Sequence, residues 1–325
     1  MMNINHGNNA LPKYPRIGVV LSSGGGRGVY AHTGFLMALE ALKLPITALA
    51  GCSAGALVGG IVASGTSLPD WVDALSKVQR KEFWKPSFLP GLLWRMLLHK
   101  GRGITGVSDT KWAIEFCRKN LSVESFEECQ FPFYALAINL DSGEKIIFSE
   151  GELARRIMAS AAIPVVYQPV KIDGEYFCDG AVVDFAPTDA ICCLHNLDVV
   201  IVHHVSQRFD KNKSIDHAVV EPWTLLKIMD RLLYRNRPWY LSDEGASSQR
   251  ISSQRCPCGC GAIIIVIEPE LPELTWPMTK GGNRVLREAQ QQTTNLLTPF
   301  QDSLQTDPRG MFPKIIKACD DSDSV

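Results

Sequence analysis

The sequence has no long apolar run, no marked excess of charge of either sign and no internal repeat. No stretch of about 18 or more residues is continuously apolar, so no membrane-spanning helix is predicted. The formal net charge of −1 gives no support to nucleic acid or a strongly anionic surface as the partner. Residues 1–10 are polar and rich in asparagine, without the apolar segment of a secretory signal. These absences favour a cytoplasmic protein that does not bind nucleic acid.

Cysteine, in contrast, is plentiful, with ten residues in the chain. Because no secretory signal is visible, we expect reduced thiols, several of them acting as small core residues. Three stand close together, at Cys256, Cys258 and Cys260, in a loop with glycine and proline. Thiols at this spacing could bind a soft metal or exchange disulfides. The loop lacks the C-x-x-C pairs of a usual zinc site, so the sequence favours a plain or redox-sensitive loop and predicts no metal and no cofactor.

Strands alternate with helices in the first part of the chain. Residues 16–21 form a short apolar run with several β-branched side chains, which is typical of a buried parallel strand. Residues 31–42 carry apolar side chains at helical spacing, and residues 46–65 repeat the strand–turn–helix pattern. This alternation predicts an α/β fold with a mainly parallel central sheet and helices on its faces.

The later elements follow from similar patterns. Residues 69–121 are expected to be mainly helical. The apolar patch at 92–98 is interpreted as core rather than as a lid that meets lipid, because leucine and aromatic stripes are usually buried. Later strands are expected at 133–140, 144–148, 198–205 and 262–268, a tight hairpin at 170–177, and later helices at 153–162, 222–237 and 283–297.

One serine lies in a pattern that commonly exposes a hydroxyl group. Gly51-Cys52-Ser53-Ala54-Gly55 has the form G-x-S-x-G and lies between an apolar strand and a helix of small residues. A serine on such a sharp turn presents its hydroxyl, and only small neighbours fit beside it. The positive end of the following helix faces any negative charge that develops there. We therefore interpret Ser53 as a nucleophile rather than as a buried serine in a glycine-rich turn.

A glycine-rich loop precedes the first long helix. Gly24, Gly25 and Gly26 let the backbone approach a substrate, and the loop leads into a helix N-terminus. Its amides can therefore supply donors to an oxyanion. The competing interpretation is a phosphate or dinucleotide loop. The spacing is not a full G-x-G-x-x-G and no G-K-[ST] is present, so the oxyanion role is favoured.

The residues alone leave the general base for Ser53 open. His203 and His204 lie near the end of a predicted strand, so either could belong to a Ser–His–Asp triad, although a histidine there is more often structural. Asp179 is the other candidate, because a hairpin delivers it into a turn with Gly180 and Ala181. An Asp-Gly pair is, however, usually only a turn. Spacing does not decide between them.

Three motifs in order give the chain a resemblance to the patatin-like phospholipases. They are Gly24-Gly25-Gly26-Arg27-Gly28, Gly51-Cys52-Ser53-Ala54-Gly55 and Asp179-Gly180-Ala181. Connecting stretches such as Ala-Ser-Ala-Ala-Ile-Pro and Pro-Thr-Asp-Ala also follow the family pattern. The likeness covers residues 16–205 clearly and residues 262–297 loosely.

The resemblance implies a three-layer α/β/α fold and hydrolysis of lipid acyl esters through an acyl-enzyme. It implies a dyad without histidine, with Ser53 as nucleophile and Asp179 as base. An aspartate of ordinary pKa, about 4, is a weak base, so it should contact the hydroxyl directly and be partly desolvated. The expected substrate is a lipid or another acyl ester. A protein that acts on lipid is also expected to contact a membrane peripherally. The implied oxyanion hole consists of the amides of Gly24, Gly25, Gly26 and Arg27.

One position departs from the family pattern. With Arg27 and Gly28 aligned on the family's basic residue and last glycine, Ser23 stands where the family usually has its first glycine. The turn is therefore expected to differ locally.

The expected organisation is a disordered leader over 1–15, a catalytic domain over 16–300 and a polar tail over 301–325. Within the domain we expect a helical insertion at 69–121 and a helical and cysteine-loop region at 206–300.

Two other functions stay open beside the dyad hydrolase. One is an esterase with a Ser–His–Asp triad that uses His203 or His204. The other is a non-enzymatic lipid- or metal-binding protein built on the same fold. Covalent labelling of Ser53 by a fluorophosphonate would count against the second of these.

Overall fold

The computed structural model describes residues 15–86, 104–205, 250–272 and 281–311, and the single positions 97, 98, 100, 102, 240 and 274. Within these residues the strands are β1 (Ile17–Leu21), β2 (Ile46–Cys52), β3 (Gly106–Ser108), β4 (Phe133–Asn139), β5 (Lys145–Phe148), β6 (Val165–Tyr167), β7 (Val170–Ile172), β8 (Glu175–Asp179), β9 (Val199–His203), β10 (Ile251–Arg255) and β11 (Ile263–Ile267). The helices are α1 (Gly25–Ala41), α2 (Ala54–Ala63), α3 (Leu68–Lys77), α4 (Arg80–Phe83), α5 (Lys111–Asn120), α6 (Leu153–Ala161), α7 (Gly282–Leu297) and α8 (Gln301–Thr306).

A central sheet with the order β10-β11-β9-β1-β2-β4-β8-β7 organises the fold, and β5 also pairs with β4. The neighbours from β11 to β4 run parallel to one another, whereas β10, β5, β8 and β7 are antiparallel additions at its sides. A separate parallel pair joins β3 to β6. The predicted α/β class with a mainly parallel central sheet is confirmed.

The middle strands are buried on both faces. Every residue of β1, β9 and β11 is buried, as their continuous runs of valine and isoleucine predict for parallel strands covered on both sides. Strands with this pattern lack the polar alternation of a strand with one wet face. These strands consequently place the middle of the sheet in the interior of the protein, so that only their ends can adjoin loops.

Helices cover one face of the sheet, and α1 packs closely on α7. Gly34 of α1 lies against the backbone of α7, where a methyl group at its Cα would overlap the carbonyl oxygen of Leu286. Trp71 of α3 is fully buried on this side and donates a hydrogen bond from Nε1 to Thr33 Oγ1 at 2.9 Å. Ser67 starts α3 by accepting a hydrogen bond from the Asp70 amide at 3.2 Å, a standard cap.

In the described part of the chain, the other face is covered mainly by 3-10 turns and loops around Ala186 to Leu197.

Several boundaries differ from the sequence prediction. Helix α1 begins at Gly25 and not near residue 31, because the glycine loop itself forms the first helical turn. The region 69–121 contains strand β3 as well as helices. Leu97 and Leu98 are 81% and 57% exposed, so these two residues are not core; the rest of patch 92–98 lies outside the described residues. The predicted polar tail starts with helix α8, whose Leu304 is fully buried against the core.

The predicted leader up to residue 14 and the predicted helix at 222–237 also lie outside the described residues. The boundaries of a single catalytic domain over 16–300 stay a prediction. None of the helices in the described ranges combines the length and apolar character needed to cross a lipid bilayer.

The close contact between α1 and α7 can be tested by Gly34→Ala. Alanine is the better helix former by about 1 kcal/mol, but its methyl group must displace the α7 backbone. We expect the free energy of unfolding to fall by about 1–3 kcal/mol, measured by denaturant titration. Glu40→Ala, on the exposed part of the same helix, should change it little. A Gly34→Ala protein as stable as wild type would contradict the close packing.

Candidate active site

Ser53 forms a sharp turn between β2 and α2. Its backbone has φ 55° and ψ −116°, an uncommon conformation for a residue with a side chain. Two glycines make room for it. A methyl group on Gly55 would overlap the carbonyl oxygen of Leu21, and one on Gly51 would lie 2.5 Å from the carbonyl carbon of Gly55. The strained serine is thus held by backbone packing that only glycine permits.

The structure brings Ser53 and Asp179 together. Asp179 ends β8, which pairs with β4, and β4 pairs with β2. The Ser53 hydroxyl donates a hydrogen bond to Asp179 Oδ2 at 2.6 Å. The two residues are 3% and 1% exposed, so the pair is shielded from bulk water. This geometry matches the direct, desolvated contact expected from the sequence; the catalytic roles of the two residues stay a prediction.

Burial and local hydrogen bonds set the charge state of Asp179. Loss of hydration raises the pKa of its carboxyl to about 6, although hydrogen bonds from the Ser53 hydroxyl, the Ala181 amide and the Cys52 thiol act to lower it. The Ala181 amide donates to Oδ1 at 2.9 Å. Gly180 is needed beside it because a side chain there would collide with Leu136. The Asp-Gly-Ala turn therefore holds one carboxylate oxygen and leaves the other for the serine.

The glycine loop forms the N-terminus of α1 and contacts the start of α2, directly after Ser53. Gly24 caps the helix, and the Gly28 amide donates to its carbonyl oxygen at 2.8 Å. The amides of Gly25, Gly26 and Arg27 belong to this first turn, where a helix has no internal acceptors for its N–H groups and carries positive partial charge. Gly28 packs on the start of α2, because a methyl group on it would lie 2.9 Å from Ala54 Cβ.

Ser23 is accommodated without strain at the position where a glycine was expected. It is not among the residues of positive φ, and its amide donates to the Phe185 carbonyl oxygen at 2.8 Å. Gly25 is the residue of this loop that adopts the left-handed region, with φ 55°. The position in this turn that needs a positive φ is therefore Gly25, two residues after Ser23.

Sequence reasoning missed Ser160. Its hydroxyl lies on α6, is fully buried and accepts a hydrogen bond from the Ser53 amide at 3.0 Å. The one signal was its place in Ala-Ser-Ala-Ala-Ile-Pro, a stretch that follows the family pattern. Nothing in that stretch indicates a partner 107 residues away in sequence.

The candidate triad histidines have other partners. His203 Nδ1 lies 2.8 Å from His32 Nδ1, and its ring stacks on Phe35. Burial holds the pKa of His203 well below its usual range, so the ring is neutral; among the described residues its Nε2 has no hydrogen-bond partner. His204 Nδ1 lies 3.1 Å from the Tyr240 hydroxyl. The Ser53 hydroxyl donates to a carboxylate instead.

Metal-ligating groups occur elsewhere. The two clusters of such side chains in the described part of the chain consist of cysteines alone and include neither Ser53 nor Asp179. Around Ser53 the structure places a hydroxyl hydrogen-bonded to a carboxylate, with the N-terminus of α2 directly after it. Groups of this kind can act as nucleophile, base and electrostatic stabiliser.

Comparison with known proteins gives the family. The sequence model of the family "Patatin-like phospholipase" matches residues 19–191, which is more than half of the chain. An uncharacterized NTE family protein of Mycobacterium tuberculosis is 32% identical over 187 residues, which cover 58% of this chain and 48% of that protein. Lysophospholipase NTE1 of Cryptococcus neoformans is 29% identical over 190 residues, covering 58% of this chain and 11% of that protein. The matches thus span half or less of these relatives' own length.

A solved structure supports the fold. Human GIVD cytosolic phospholipase A2 superposes with a TM-score of 0.54 over 90% of this chain and 62% of its own, at 10% sequence identity. At this identity the likeness concerns the fold alone. The family match contains all three motifs, from the glycine loop through Ser53 to Asp179. The chain belongs to the patatin-like phospholipase family.

Proposed function

We propose that the protein is a serine hydrolase of lipid acyl esters, with Ser53 as nucleophile and Asp179 as general base. The observation that carries the proposal is the 2.6 Å hydrogen bond between these two buried side chains. A serine hydroxyl is a poor nucleophile until a base takes its proton. A carboxylate in direct contact with the hydroxyl, and shielded from water, can take that proton.

The first half-reaction transfers the acyl group to the enzyme. Ser53 Oγ attacks the ester carbonyl carbon while its proton passes to Asp179 Oδ2. The carbonyl oxygen becomes an oxyanion, and the proposed donors that stabilise it are the amides of Gly25, Gly26 and Arg27 in the first turn of α1, with Gly24 as the helix cap. When the tetrahedral intermediate collapses, the ester C–O bond breaks, and Asp179 returns the proton to the leaving alcohol.

The second half-reaction releases the acid. Water gives a proton to Asp179 and attacks the carbonyl carbon of the acyl-serine. This forms a second oxyanion, which the same amides stabilise. Collapse breaks the bond to Ser53 Oγ, which regains its proton from Asp179, and the fatty acid leaves. Ser160 positions the nucleophile throughout, because it accepts the Ser53 amide at 3.0 Å and so fixes the strained turn.

The raised pKa of Asp179, about 6, suits this role. A base works best when its pKa lies near the working pH, because it then combines proton affinity with a sufficient deprotonated fraction. An ordinary aspartate, near pKa about 4, would hold the serine proton less well. Burial of the carboxyl thus compensates for the absence of a histidine.

The substrate class comes from the family and its relatives. Membership of the patatin-like phospholipases, and the similarity to a fungal lysophospholipase, favour a phospholipid or lysophospholipid. The protein would meet this substrate in the cytoplasm, through peripheral contact with a membrane or micelle. Its catalytic unit would be the domain over 16–300.

Replacement of the dyad separates this mechanism from a histidine triad. We expect Asp179→Asn to lower kcat for an aryl or phospholipid ester by roughly 100- to 10,000-fold, because amide nitrogen and oxygen cannot accept the serine proton. Ser53→Ala should abolish turnover and labelling by a fluorophosphonate. His203→Asn and His204→Asn, the matched controls for a triad, should keep turnover within a few fold of wild type when folded.

Folding of each variant is checked by circular dichroism and thermal unfolding. A large loss of kcat in a folded His204→Asn protein, with activity kept in Asp179→Asn, would transfer the role of base to histidine. Absence of Ser53 labelling in the folded wild-type protein would instead favour the non-enzymatic binding protein.

The pH profile follows from Asp179. Its carboxyl must be ionised to act as base, and burial raises its pKa to about 6. We therefore expect kcat/KM to be constant above about pH 7 and to fall tenfold per pH unit below about pH 6. The measurement is hydrolysis of a soluble, uncharged ester between pH 4.5 and 9, with stability followed in parallel. An acid limb near pH 4 would contradict the desolvated carboxyl.

A further inference from the structure

Five cysteines converge at one end of the sheet, away from the catalytic dyad. The loop joining β10 to β11 contributes Cys256, Cys258 and Cys260, and the chain after the 3-10 turn at Thr188–Ala190 contributes Cys192 and Cys193. The sequence showed only the first group as a cluster. The fold brings in the second group from 65 residues earlier in the chain.

Cys258 lies at the centre of this five-cysteine cluster. Its sulfur is 2.7 Å from that of Cys193, 2.9 Å from that of Cys256 and 3.9 Å from that of Cys192. The sulfurs of Cys192 and Cys193 are 3.4 Å apart. Two sets of three sulfurs, one with Cys192 and Cys193 and one with Cys256 and Cys260, each lie within 4.8 Å of one another and share Cys258.

Local structure holds the loop in this position. The Cys256 amide donates to the Ala262 carbonyl oxygen at 3.0 Å, which closes the hairpin, and Gly259 and Gly261 adopt φ 75° and 83°. The Cys260 thiol reaches across to the Cys192 carbonyl oxygen at 3.4 Å. The thiols are therefore directed toward one another by the turn and not by chance contact of long side chains.

The sulfurs are close enough together to share one tetrahedral ion. With Zn–S bonds of about 2.3 Å, two thiolates on the same zinc lie about 3.8 Å apart, close to the separations of Cys258 and Cys193 from Cys192. The contacts of Cys258 with Cys193 and Cys256, at 2.7 and 2.9 Å, are shorter, so these sulfurs would move apart by about 1 Å on binding. An iron–sulfur cluster spreads its cysteines over several iron atoms and needs wider separations. Neither set contains histidine, aspartate or glutamate, and an all-thiolate donor set selects soft metals and zinc. Harder ions such as magnesium or calcium are thereby disfavoured.

We propose that the five-cysteine cluster binds one structural zinc ion, with Cys258, which belongs to both sets of three sulfurs, as an obligatory ligand and three of the other four thiolates completing the tetrahedron. Each ligating thiol loses its proton to solvent as a Zn–S bond forms, and no redox step is involved. The ion would tie the β10–β11 hairpin to the segment that follows the Asp179 turn. All five cysteines lie beyond residue 191, where the family match ends, so the site is an addition to the family core.

Metal analysis of the full chain tests the proposal. The protein is expressed with zinc, iron and copper in the medium and purified under reducing conditions without chelator. We expect about one zinc per chain in wild type and loss to background in Cys258→Ser. Cys129→Ser is the matched control: this thiol lies outside the cluster, is half-buried, and donates to the Ser125 carbonyl oxygen at 3.7 Å, as a hydroxyl also can. It should keep its zinc.

Two further measurements keep the test independent of folding defects and of catalysis. Cobalt(II) added to the zinc-depleted wild-type protein should give the intense thiolate charge-transfer and visible bands of a tetrahedral site. Removal of zinc by a chelator should lower the thermal midpoint of wild type and leave that of Cys258→Ser unchanged. Neither readout requires ester hydrolysis.

Three results would overturn the assignment. The first is wild-type protein without zinc whose cysteines are found as disulfides by mass mapping. The second is equal zinc content in wild type and Cys258→Ser. The third is stoichiometric iron or copper in place of zinc.

Discussion

Close backbone packing around Ser53 is the constraint on which the candidate active site depends. A serine at φ 55° is unfavourable by itself, and it persists because β1, β2 and the start of α2 approach one another too closely for any side chain at Gly51 or Gly55. The same packing brings the first turn of α1 against Ala54 through Gly28. Close contacts at three glycines, Gly28, Gly51 and Gly55, thus hold Ser53 and the first turn of α1 near each other.

The electrostatics of the site follow from that packing. Because the turn is compact and buried, Asp179 loses hydration, and its pKa rises to about 6. The hydrogen bonds from Ser53 and Ala181 offset part of this loss and keep the carboxylate oriented. In water the same carboxylate would be a far weaker base toward serine. Burial in the fold therefore gives this carboxyl a pKa near that of an ordinary histidine.

The sheet separates two kinds of site. The dyad depends on the parallel strand ends near β2 and β8, within the region that the family model matches. The five-cysteine cluster depends on the antiparallel hairpin β10–β11 beyond that region. A metal there would stabilise the edge of the sheet, since a hairpin at an edge has neighbours on one side only. The proposed zinc site and the proposed dyad therefore depend on different parts of the sheet.

The sequence by itself determined the sheet class and the local shape of the site. Continuous apolar runs predicted the buried parallel strands, the Asp173-Gly174 pair predicted a tight hairpin and indeed adopts two left-handed residues, and G-x-S-x-G predicted the turn at Ser53. These are local properties, set by side-chain size, periodicity and backbone freedom. Only the tertiary structure decided contacts between distant segments: Ser53 with Asp179 and Ser160, His203 with His32, and Cys192 and Cys193 with Cys258. The order of the strands in the sheet brings those residues together, and the spacing of residues along the sequence does not specify that order.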